Sequence, residues 1–167
     1  MPRSFDFSVK SPVSAEQVHA AFSDEDYWLA RLAEFGGVGR LASLDTGTDG
    51  STRVVIVQDL RHDWLPGPFA KLYPGDLQVV QKETWNLLGG GMVRGEVITA
   101  ARGAPGSGIG TVVMAPAENG TCLRCTATVQ VKVPLVGGTI ERFVGRQMLE
   151  ETPVMLRFTA KWITEHV

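Results

Sequence analysis

The stretch from Val136 to Val167 constrains this chain more than any other, because it reads as one long helix whose apolar stripe is interrupted by polar residues on the same face. Ile140, Phe143, Val144, Met148, Val154, Met155, Phe158 and Trp162 recur at helical spacing, and at about 100° per residue Gln147 and Glu151 project into the middle of that stripe. A helix this long must lay its apolar side on something broad, and a curved antiparallel sheet is the surface that the preceding residues can build. Polar groups aimed inward from such a cover describe a container.

The period of two before it supplies the sheet. Phe5, Phe7 and Val9 alternate with polar residues in a first strand, ended by Ser11-Pro12. Ser14 and Gln17 form a capping box and Val13 with Val18 a hydrophobic staple, so a short helix begins near Ala15 and turns Val18, Ala21 and Phe22 inward. Ser23 reads as the cap of a second short helix with Asp24, Glu25 and Asp26 in its first turn and Tyr27, Trp28, Leu32 and Phe35 on its apolar face, stopped by Gly36-Gly37. Strands are then expected over 39–44, 52–60, 77–87, 92–101, 108–115 and 121–133, separated by turns such as Asp49-Gly50 and Asn119-Gly120. Short sequential turns make them antiparallel neighbours. Pro153 predicts a kink or a break in the final helix.

Residues 1–167 are expected to form a single domain with one core, a length that needs neither disulfides nor structural metal. A net charge of -2 offers no basic field for phosphate backbones, so no nucleic-acid partner is expected. The opening Met-Pro-Arg-Ser-Phe-Asp-Phe is not a cationic leader followed by an apolar run, and no stretch approaches the ~20 apolar residues that span a bilayer, which reads as a cytoplasmic protein without integral membrane association. Cys122 and Cys125 fall in an alternating strand, where positions three apart face opposite sides, so they pair neither with each other nor around a metal. His19, His62 and His166 lack ligand spacing; no metal and no cofactor is expected. The glycine-rich run 103–110 lacks the Lys-Ser/Thr of a phosphate loop and reads as a hairpin turn.

This order of elements resembles the START-like superfamily, with its pollen-allergen, lipid-transfer and polyketide-cyclase families. The resemblance is carried by Pro12-Val13-Ser14 with Val18 and Phe22, by Glu83-Thr84-Trp85, and by Val133 to Gly138; the Leu65-Pro66-Gly67-Pro68 loop and the Gly137 to Glu141 helix start are similar to an uncharacterised bacterial branch. It implies an α+β helix-grip fold: a curved seven-stranded antiparallel sheet, two short helices after the first strand, and a long C-terminal helix across the concave face. Fold alone does not assign chemistry within such a superfamily.

Alternation orients the candidate site. With Val54, Ile56 and Leu60 inward, Gln58 joins them; with Lys82, Thr84 and Asn86 outward, Gln81, Glu83, Trp85 and Leu87 face in. Buried carboxylates must be paired, hydrated, protonated or in contact with a ligand's polar end. An empty apolar cavity of about 300 Å³ would cost roughly 7 kcal/mol, so a hollow persists only if something occupies it. The candidate lining is Gln58, Gln81, Glu83, Trp85, Phe143, Gln147, Met148, Glu151 and Met155, with Trp64, Phe69 and Tyr73 of the long connection 61–76 as lid residues. The function expected is binding, carriage or sensing of a small hydrophobic molecule (lipid, polyketide or isoprenoid-like), and that molecule is the expected partner. Two alternatives compete: a cyclase- or dehydratase-type enzyme using the cavity carboxylates, and a protein-interaction module of the chaperone-activator type. No recognised catalytic motif is present, and His62-Asp63 has no nucleophile tied to it.

Overall fold

The computed structural model describes residues 2–35, 38–61, 67–72, 75–102 and 105–166, with the backbone alone at 68, 69 and 72. Strand β1 (Arg3–Ser11) leads into α1 (Ala15–Phe22) and α2 (Glu25–Glu34), followed by β2 (Gly39–Thr46), β3 (Ser51–Leu60), α3 (Gly67–Leu72), β4 (Leu77–Leu88), β5 (Met92–Arg102), β6 (Gly106–Ala117), β7 (Gly120–Val131) and α4 (Gly137–Glu165). The seven strands form one antiparallel sheet in the order β1-β7-β6-β5-β4-β3-β2. The expected helix-grip architecture is therefore what the chain adopts.

Local chemistry explains most boundaries. Ser14 Oγ accepts from Gln17 N at 3.1 Å and the Gln17 side chain accepts from Ser14 N at 2.9 Å, closing the capping box on α1. The cap of α2 is Asp24, not Ser23: Asp24 accepts from Asp26 N at 2.9 Å, while Ser23 ends α1 and its hydroxyl bridges His19 O and Thr52. The Asp24 carboxylate reaches a free N–H group there, and Ser23 is already committed to the preceding helix. The connection expected to be an irregular loop contains α3. Trp64 and Tyr73, like His62 and Asp63, lie outside the described residues, and Phe69 lies within α3.

Helix α4 runs unbroken through Pro153. The expected division does not occur; Thr152 donates its hydroxyl to Met148 O at 2.7 Å in the turn that precedes the proline. Burial on both sides of the proline, at Ile140, Glu141 and Gly145 and again at Leu156, Thr159, Ala160 and Ile163, outweighs the one backbone bond that proline removes. The helix lies along β1 and β7 and meets α1 and α2 near its C-terminal end, while α1 seats on β4, β5 and β6. Gly145 makes the first approach possible, because a side chain there would fall inside the Phe5 ring.

The core gathers at the end of the sheet under α1 and α2. Phe22 stands 4.8 Å from Trp85 and 5.5 Å from Trp28, centroid to centroid, and Tyr27 meets Trp28 and Trp162 edge-on, each at 5.3 Å. The polar tips inside this cluster are paired: Tyr27 with the Thr159 hydroxyl at 2.6 Å and Trp28 Nε1 with Phe22 O at 2.7 Å. Buried aromatics keep their polar atoms only on that condition.

Candidate functional site

Strand β4 carries the most unusual group of the interior. Its pairing with β3 and β5 is continuous, without a bulge, so the alternation expected from the sequence holds and Gln81, Glu83 and Trp85 share the concave face. Glu83 is 3% exposed, and both carboxylate oxygens are engaged: Oε1 accepts from Trp85 Nε1 at 2.9 Å, and Oε2 accepts from Gln81 Nε2. No ion pair to Glu83 is found among the described residues. Neutral donors alone hold a buried acid, an arrangement that costs stability unless the charge has a use or a further partner.

Glu83 sits on a boundary that runs obliquely across four strands, from Ile56 of β3, opposite Gln81, through Glu83 itself to Gly95 and Val112, in line with Trp85. On the α1 side the inward residues are buried: Thr52, Val54 and Ile56 of β3, Trp85 of β4, Val93 and Gly95 of β5, Val112 and Met114 of β6. Beyond it, toward the start of α4, Gln58, Val79, Gln81, Val97, Thr99, Ala101, Gly108 and Gly110 are half-buried, and Leu77 at the far end of β4 is buried again. In β7, directly under α4, the inward residues stay buried to Val131. One part of the concave face is thus packed solid, and solvent reaches the part between it and Leu77.

The glycines distinguish the two parts. At Gly95 the missing side chain is replaced by the Trp85 ring. At Gly108 a Cβ would meet only Thr128 O, at 3.6 Å, and at Gly110 only Ala127 Cβ at 3.9 Å and Thr126 O at 4.0 Å, among the described residues. Those atoms belong to the neighbouring strand; nothing described packs over the two glycines. β6 starts at Gly106, two residues before the start expected at Gly108, so Gly106 belongs to the strand and not to the turn. The repeat of glycine at every second position was the available signal of a side-chain-free trough, and Val97 with Thr99 the signal for Thr99 facing in.

On α4, Phe143, Gln147, Glu151 and Met155 form an i, i+4 row that leads to Phe158, whose ring meets Tyr27 at 6.1 Å and Phe35 at 5.7 Å on α2. Met148 packs on the core, and Phe143, Gln147 and Met155 are half-buried. Glu151 does not face a closed interior: it is exposed, although desolvation and then the charge of Glu150 raise its pKa above the usual carboxylate value. The row lies on the flank of the helix, and helical spacing cannot tell a flank from the centre of the buried stripe. An open groove of about 720 Å³ lies further along, between α2 and α4, and is lined by Phe35, Val154, Phe158 and Trp162 together with Arg157 and Lys161.

Glu141, unassigned from the sequence beyond its place in the helix-start motif, is fully buried. Its Oε2 accepts from Val131 N at 2.8 Å, and its Oε1 lies 3.9 Å from Arg3 Nε. Gly137 lets the helix start touch Val131 O, where a Cβ would collide, so this motif fastens α4 to the end of β7. Cys125 is buried and Cys122 half-buried on opposite faces, as expected; burial, followed by the charge of Asp6, raises the Cys125 pKa and keeps the thiol protonated. Among the described residues no cluster of His, Cys, Asp and Glu could hold a metal, and no helix is long and apolar enough to cross a membrane.

A long helix gripping a curved antiparallel sheet, with part of the concave face left open, defines a protein of the helix-grip class. Solved structures agree: Ara h 8.0201 superposes with a TM-score of 0.58 at 9% identity, covering 99% of each chain. The di-domain ARO/CYC protein StfQ from the steffimycin biosynthetic pathway gives 0.63 at 13% identity, over 99% of this chain and 52% of that one. At such identities the likeness concerns the fold alone. Residues 6–163 match the family described as Protein of unknown function (DUF2505), and the chain belongs to that family. It is 39% identical over 174 aligned positions to the uncharacterized protein Rv0481c of Mycobacterium tuberculosis, with 100% of both chains covered.

Proposed function

We propose that this protein binds a small, largely apolar molecule with a polar end in the hollow between α4 and the open part of β3–β6. The observation that carries the reading is the oblique boundary along which four strands pass from buried to half-buried, with an uncharged-donor cradle for Glu83 on it. Filling a hydrophobic trough recovers the packing that an empty one forfeits. The fold-level neighbours are compatible with this role, since one of them, StfQ, is an ARO/CYC protein. Glu83 supports a positioning role better than acid–base catalysis, because both oxygens already accept hydrogen bonds and the residue is nearly inaccessible.

Native mass spectrometry of protein purified from its own host tests the reading. A bound species of a few hundred daltons, lost on denaturation, is the expected result; no such species, together with no thermal shift across a panel of lipids, polyketides and isoprenoids, would overturn it.

A further inference from the structure

The turn that joins β7 to α4 presents an apolar tip among cations. We infer that this turn docks the protein on the surface of an anionic lipid bilayer, with Leu135 entering the hydrocarbon and Arg3, Lys132, Arg142 and Arg146 meeting the headgroups.

The first support is the conformation of Leu135. Its φ is +72°, in the left-handed region, and Val136 N donates to Pro134 O across it at 2.9 Å, the bond of a γ-turn in its strained sense. Glycine would adopt this backbone without strain. The chain carries leucine there instead, 102% exposed, with Pro134 and Val136 exposed beside it. The turn is braced from below, because Gly137 N donates to Val133 O at 3.0 Å and Glu141 accepts from Val131 N at 2.8 Å. A fixed turn therefore holds a bare leucine outward at a conformational cost, and no packing within the described residues offsets it.

The second support is charge. From residue 119 to residue 149 the cations Arg124, Lys132, Arg142 and Arg146 are all exposed, whereas the one acid, Glu141, is buried. Arg3 joins them at the start of α4: its Nε lies 3.9 Å from Glu141 and its side chain stays 41% exposed. Arg142 donates to Thr139 Oγ1 at 3.3 Å, which keeps its guanidinium on the first turn of the helix. The exposed acids Asp59 and Asp76 at the same end of the sheet belong to β3 and the entry to β4, three or more strands from β7 and so ~14 Å or more along the sheet. That separation exceeds the Debye length at physiological salt, so the acids do not cancel the cations around Leu135.

The combination selects the partner. A nucleic acid would engage the cations and leave Leu135 in water, and a protein would need a pocket cut to a projecting tip. A bilayer satisfies both features, since anionic headgroups attract the cations and fluid hydrocarbon receives the side chain without a matched shape. Among the described residues no helix is long and apolar enough to cross a membrane, so the contact is made on the surface.

Sedimentation of the full chain with vesicles of phosphatidylcholine alone, and of an equal mixture of phosphatidylcholine and phosphatidylglycerol, tests the inference. Binding to the mixed vesicles, much weaker binding to the neutral ones, and release by high salt are the expected results. Lys132→Ala and Arg142→Ala should each weaken binding to the mixed vesicles by about fivefold. Leu135→Gly relieves the turn, so its melting temperature should hold or rise while its vesicle affinity falls by about tenfold. No binding to the mixed vesicles, equal binding to both kinds, insensitivity to salt, or a Leu135→Gly variant that binds as well as the natural chain would overturn the inference. Affinity for soluble polyglutamate equal to that for the mixed vesicles, and unchanged in Leu135→Gly, would also overturn it by assigning the cations to a soluble acidic partner.

Discussion

The ring of Trp85 occupies the space in which a side chain of Gly95 would stand, on the directly opposed position of the adjacent strand. This placement also aims Nε1 at Glu83, so a glycine with no polar atom beyond its backbone governs where the buried acid is held. Gly95→Ala should displace the ring and destabilise the fold by about 1–3 kcal/mol, the usual cost of overpacking. Trp85→Phe removes the donor and leaves a buried carboxylate oxygen unpaired at a cost of about 1–3 kcal/mol, to which the space vacated over Gly95 adds a cavity cost. Urea unfolding of both variants measures the two effects separately.

A second glycine–aromatic pair joins helix to sheet. Gly145 of α4 abuts the Phe5 ring on β1, so Gly145→Ala should destabilise the protein, and Phe5→Leu in the same chain should recover part of the loss. A double-mutant cycle should return a coupling of about 0.5–3 kcal/mol; strict additivity would mean that the helix simply shifts away.

Glu141 separates charge from hydrogen bonding. Glu141→Ala leaves the Val131 N–H buried without an acceptor and should cost about 1–3 kcal/mol, whereas Glu141→Gln keeps a carbonyl for that N–H and should cost less. Hydrogen exchange at the Val131 amide should accelerate in the alanine variant far more than in the glutamine one.

The raised pKa of Glu151 gives a pH signature. Between the unfolded carboxylate value and the higher folded one, the folded chain binds more protons, so ionisation of this group subtracts stability as pH rises through that window. Glu151→Gln should remove that decline and slightly raise the melting temperature at neutral pH relative to the natural chain. The effect is small because the group is exposed and water screens it. A wider stability gap at low pH than at neutral pH would reverse the sign and refute the assignment.

The order of the strands and of α1, α2 and α4, the capping box at Ser14, the inward facing of Gln81, Glu83 and Trp85 and the opposite facing of Cys122 and Cys125 were legible from residue spacing, whereas Leu87, expected inward with them, is exposed at the end of β4. Each depends on local geometry: a strand turns over every second residue, and a cap involves atoms three residues apart. The same locality misassigned the α2 cap by one residue and predicted a kink or a division at Pro153, where α4 runs on undivided between its two buried ends.

Long-range placement decided the rest. Identical alternation gives buried residues along all of β7 but only Leu77, Glu83 and Trp85 on β4, because α4 lies over one strand and not the other. Two inward-facing acids were expected; β4 encloses Glu83 between two donors, while the flank of α4 leaves Glu151 in water. Glu141 acquired its task from a strand end ten residues earlier in the chain. Periodicity specifies which way a side chain points, but whether that direction meets packed protein, a hollow or solvent is fixed only when distant elements take their places.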